Sequence, residues 1–176
     1  MNIKEVVTMR DELLDRMVED FRAAYIAAGV AEIDDADAPK IVRAILDDIG
    51  GDEGVIGEYY FTPSSEDDEI MIFNAILTLS ETLPDDNLAA VYEAMSYINF
   101  AVPVGSFAYD KDHSFVGYRL SVSMPTSFDS EAVYSLMNIA VGNSVSVAET
   151  YTDVLIGVAT GTVSIDEVKH ILGGKE

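Results

Sequence analysis

A chain of 176 residues, 49% of them hydrophobic, has enough apolar material to bury the core of one domain. Its 32 Asp and Glu against 10 Lys and Arg leave a formal charge of −22, which makes nucleic acid, whose phosphates need basic side chains, a poor partner and excludes anionic membrane surfaces by the same argument. Cysteine is absent, which removes disulfides, thiolate nucleophiles and cysteine-ligated metals and fits a reducing, cytoplasmic location.

The opening stretch, MNIKEVVTMRDELLDRMVEDF, is charged throughout and does not read as a secretory leader. No stretch of the chain reaches the roughly 18 uncharged apolar residues of a membrane span. Val6, Leu13, Leu14, Met17, Val18 and Phe21 recur at helical spacing and predict a first helix from about Ile3 to Ala28, with Gly29 as its stop. The acidic EIDDADAP that follows reads as a loop. In KIVRAILDDIG the period of Ile41, Val42, Ile45, Leu46 and Ile49 suits a short helix, while GGDEG beyond it suits a hairpin turn.

Residues 55–61 read as a strand, and so do residues 69–80. In the second of these Met71, Phe73, Ala75, Leu77 and Leu79 give one apolar face, yet Ile70, Ile72 and Ile76 lie on the other. A strand that is apolar on both sides asks for cover on both sides. Pro84 with Asp85 or Asp86 opens a helix whose stripe is Leu88, Val91, Tyr92, Met95 and Ile98. A hairpin then turns at DKDHS, and in its second strand Val116, Tyr118, Leu120, Val122 and Met124 alternate with Phe115, Gly117, Arg119, Ser121 and Ser123. The last long helix starts at an N-cap Asp129, with Phe128 and Val133 placed as a hydrophobic staple. Unbroken over 130–160 it would span about 45 Å, so a bend near Gly142 and Asn143 is expected. Ser164 and Glu167 form a capping box for a short final helix over 164–172.

There is no internal repeat and no flexible linker, so 1–176 is expected to be a single domain, with an α+β core over 1–160. Consecutive strands imply a largely antiparallel sheet packed by helices, in the order α-β-β-β-α-β-β-α.

Three stretches carry a family resemblance: MSYINFAVPVGSFAYD with Asn99 at a helix-to-strand junction, GYRLSVSMP, and the closing helix FDSEAVYSLMNIAV. In element order and texture the chain resembles the YbjN-like domains and, more widely, the type III secretion chaperone-like fold. The resemblance implies a strand at 41–48, where the local period suits a helix. It also implies a homodimer that holds an unfolded stretch of a client protein, with no enzymatic activity and no cofactor. It offers no motif residues to transfer position by position.

Candidate chemistry is sparse. Asp110, Asp112 and His113 could hold a hard cation through alternating oxygens, although the spacing of a calcium loop is missing and Asp is ordinarily favoured in such a turn. The acidic runs at 34–37 and 66–69 read as solvated loops. A hydrolase built from carboxylates and His113 is a second function class, and an acidic cation-binding protein a third. The inference that the residues favour is a surface. Tyr59 and Tyr60 are adjacent on a strand, so one of them faces away from the core. Ile56, Tyr60, Ile70, Ile72 and Ile76 then form a second apolar face, and if it is uncovered it marks a protein or peptide partner.

Overall fold

The computed structural model describes residues 2–33, 38–50, 54–63, 65, 68–80, 84–112 and 115–173. Its elements follow as α1 (Ile3–Ala23), β1 (Ala27–Val30), β2 (Ile41–Leu46), β3 (Val55–Phe61), β4 (Ile70–Ser80), α2 (Leu88–Ala101), β5 (Ser106–Asp110), β6 (Phe115–Pro125), α3 (Ser130–Ala159) and α4 (Ile165–Gly173). The strands form one antiparallel sheet in the order β1-β2-β3-β4-β6-β5. The class is α+β.

The caps come largely from side chains close by in sequence. Asn2 accepts from the Glu5 amide while Glu5 accepts from the Asn2 amide, closing a capping box on α1. Asp129 accepts from the Ala132 amide at 2.8 Å and caps α3 as the sequence predicts. Ser164 and Glu167 exchange bonds of 2.7 and 3.3 Å at the start of α4.

Two expectations are corrected. The first helix stops at Ala23, not near Ala28, and Gly29 lies inside a strand that the sequence reading lacked. The stop is a Schellman motif in which the amides of Tyr25 and Ile26 reach back to the carbonyls of Arg22 and Phe21. Its left-handed residue is Tyr25, at φ 63°, where glycine is usual. Residues 41–46 form a strand, as the family resemblance implies and the local period does not. Four strands therefore precede α2. Helix α3 is helical over all 30 residues, across Gly142.

The chain divides into two compact units. The first holds α1, β1, β2, most of β3, β4 as far as Ile76, the end of β6 and the first part of α3. Its core contains Leu14, Met17, Tyr59, Met71, Phe73 and Met137, all fully or nearly fully buried. Tyr59 stacks on Phe73 and tilts against Phe21, with ring centroids 6.5 and 5.4 Å away. Gly57 makes room for that tyrosine, since a Cβ there would come within 2.5 Å of its hydroxyl. Each fully buried large apolar side chain contributes about 1.5–3 kcal/mol relative to exposure.

The second unit holds α2, β5, the start of β6, the later part of α3, and α4. Phe107 packs on Tyr118 and, edge-on, on Tyr151 of α3. Asn87 donates to the last carbonyl of α3, that of Ala159, at 3.1 Å. Gly105 sits at φ +70° beneath the Tyr118 ring, whose hydroxyl donates to the Val104 carbonyl.

Candidate functional site

The outer face of the sheet in the first unit follows from strand alternation. Along β3, Val55, Gly57, Tyr59 and Phe61 are buried, while Ile56, Glu58 and Tyr60 are half-buried. Along β4, Met71, Phe73, Ala75, Leu77 and Leu79 turn inward, so Ile70, Ile72, Asn74 and Ile76 turn outward. Helix α1 reaches the inward side: its Phe21 meets Tyr59, and its Arg10 lies over the Phe61 ring.

All five residues of the predicted surface therefore share one face. Ile70 is 54% exposed, and Ile56, Tyr60, Ile72 and Ile76 are half-buried. The face extends further than the sequence indicates. Arg43 of β2 lies across from Glu58 and bonds its Oε1 at 2.6 and 3.1 Å, which places Ile41 and Ile45 on the same side. Ile45 is 43% exposed. The Arg43–Glu58 pair is partly in water and worth little to stability.

Asn74 sits in the middle of this face and is completely buried. Its amide donates to the Thr62 hydroxyl at 2.9 Å, and its carbonyl accepts from the Ser121 hydroxyl at 2.8 Å. A row of three polar side chains thus crosses the apolar surface from β3 to β6. Sequence reasoning passed over Asn74; the signal was one amide interrupting an otherwise apolar outward row.

Each of the two outermost strands has one rim residue bonded by a helix side chain. At β1, Arg22 of α1 donates through Nε to the Ala28 carbonyl at 2.9 Å. The bond from the Ala31 amide to the Ile41 carbonyl sets the ladder so that Ala28 points its own groups away from β2. At β5, Asn99 of α2 bonds both backbone groups of Phe107, at 2.7 and 3.0 Å. The asparagine singled out at the helix-to-strand junction thus behaves like a short stretch of an added strand.

The candidate cation site divides. Asp110 accepts from the Asp112 amide at 2.9 Å, the local bond expected of a hairpin turn. His113 and the acidic residues at 34–37 and 66–67 lie outside the described residues. Among the described residues no group of three or more His, Asp or Glu side chains could hold a metal ion. His170 is exposed in the last turn of α4, where a basic group favours the helix dipole. No helix among the described residues is long and apolar enough to cross a membrane.

No family model matches the chain, and no curated protein matches it. A solved structure does: YbjN, a candidate transcription regulator from E. coli, is 12% identical, with 86% of this chain and 94% of that chain covered and a TM-score of 0.41. The likeness is to the family that the sequence resembles and is one of fold only. It assigns no function to this chain.

Proposed function

We propose that the chain is a non-enzymatic adaptor or chaperone-like domain that holds an apolar, net-basic segment of another protein on the outer face of its sheet. The observation that carries this reading is the row Ile56, Tyr60, Ile70, Ile72 and Ile76, left partly exposed on the side away from α1. Large apolar side chains contiguous on one surface usually mark a partner. The rims support face binding over strand addition, because Arg22 and Asn99 occupy backbone groups that an added strand would need.

Charge selects the occupant. Two copies at −22 each repel, and only part of that is screened at about 0.1 M salt, where the Debye length is about 10 Å. A segment rich in Lys and Arg is attracted and steered in. A homodimer across this face is the competing outcome, and mass in solution distinguishes the two.

The test uses three labelled synthetic peptides of equal length, alternating Leu-Lys, Leu-Glu and Ser-Lys. The Leu-Lys peptide should bind the monomer, and the other two should not. Ile72→Lys should weaken that binding at least about tenfold, a loss of about 1.4 kcal/mol, while the protein stays folded. Equal binding of Ser-Lys, or unchanged binding to Ile72→Lys, would remove the face from consideration. A constant dimer mass abolished by Ile72→Lys would replace the foreign segment with a second copy.

A further inference from the structure

On the inward side of the first unit, between α1 and the segments around Lys40 and Phe61, lies a cavity of about 370 Å³. Its volume falls at the low end of small-molecule sites. Val7, Leu14, Pro39, Phe61 and Pro63 make much of its wall apolar, with Arg10, Asp11 and Lys40 between them. Val7 leaves 45% of its surface in water. Small-molecule sites are ordinarily built this way, as a recess with apolar walls and a few polar groups.

The charges of the wall are already matched. The Arg10 guanidinium lies over the Phe61 ring, 5.2 Å from the centroid, donates to the Thr62 carbonyl at 3.3 Å, and interacts with the charges of Asp68 and Asp11. Lys40 is held by Asp15 at 2.6 Å and by the Asp11 carbonyl at 3.2 Å. Two cations thus stand among three carboxylates. An anion entering the cavity meets those carboxylates, and a cation meets Arg10 and Lys40. Either sheds its hydration without gaining a countercharge of its own. An uncharged molecule loses little on entry and gains by covering the apolar wall.

We infer that this cavity binds an uncharged small molecule with a hydrocarbon body and one oxygen acceptor, the body along Val7, Leu14 and Phe61 and the oxygen on Lys40. An ammonium carries three N–H groups, and among the described residues two acceptors take up two of those on Lys40. The third is left for the oxygen of the ligand. The hydrocarbon body supplies the affinity, because each methylene that leaves water adds to binding.

The test is calorimetry of the whole chain with the straight-chain alcohols from butanol to dodecanol, and with octanoate and octylammonium. Octanol should bind one to one and raise the melting temperature. Along the alcohol series affinity should rise about fourfold with each added methylene, then level off before dodecanol, once the tail outgrows the cavity and reaches water. Octanoate and octylammonium should each bind at least about tenfold more weakly than octanol. Val7→Trp, at a half-exposed wall position, should block the cavity and abolish octanol binding. If that variant does not fold, the levelling of the alcohol series on the unaltered chain decides the matter. Ile72→Lys, on the outer face, should leave octanol binding unchanged, so this result stands apart from the peptide experiment. Octanoate or octylammonium binding as tightly as octanol, affinity climbing without a break through dodecanol, an absence of octanol binding at millimolar concentration, unchanged binding to a folded Val7→Trp, or loss with Ile72→Lys would each overturn the assignment.

Discussion

Tyr25 is 97% exposed and holds a left-handed backbone, so its side chain gains nothing from burial while its backbone is strained. An L-residue in that region costs roughly 1–2 kcal/mol relative to glycine. Tyr25→Gly should therefore stabilise the protein by about 1 kcal/mol, read as a higher denaturant midpoint with an unchanged slope. Tyr59 is strained differently. Its hydroxyl is buried without a hydrogen-bond partner among the described residues, and burial pushes its pKa up. Tyr59→Phe removes an unsatisfied polar group without changing the ring, so stability should rise by about 1 kcal/mol. Tyr134 also titrates high, through burial and its 2.6 Å bond to Asp20, and burial raises Tyr118 too. A raised folded-state pKa means stability that is complete below the unfolded tyrosine value, about pH 10, and lost as pH rises beyond it. Unfolding midpoints measured across that range should fall steeply above pH 10, and less steeply in Tyr59→Phe.

At the scale of elements, the rim of β5 depends on Asn99. Asn99→Ala leaves both outward groups of Phe107 without their amide partner and should cost about 1–3 kcal/mol, measured by chemical unfolding. Gly57→Ala should also destabilise, since the new methyl meets the Tyr59 ring in a fully buried site. Much of the element pattern was legible. Strands β3, β4 and β6 alternate clearly, and Asp129 and Ser164 announce their helices through local capping chemistry. The misses share a cause, which is long-range pairing overriding local preference. β1 is Ala-Ala-Gly-Val, with little strand tendency, and exists because it pairs with β2. β2 has a helical spacing of apolar residues, but between neighbours its Val42, Ala44 and Leu46 become one buried side. Helix α1 ends early because its left-handed stop falls on Tyr25, four residues before the glycine, Gly29, that the sequence offers.

For the whole molecule, the outward isoleucines were legible because a period of two separates them cleanly from Met71, Phe73 and Ala75. The role of Asn74 was not, since its partners Thr62 and Ser121 come from distant parts of the chain. Asn74 also acts as a ruler. Were β4 to slip by a single residue against β3 and β6, every side chain would exchange sides. The amide would then enter the oily interior stripped of Thr62 and Ser121, a penalty of about 1–3 kcal/mol on top of the lost packing. One polar residue thus pins the spacing of the isoleucine ridges, and whatever settles on them meets the same contour each time.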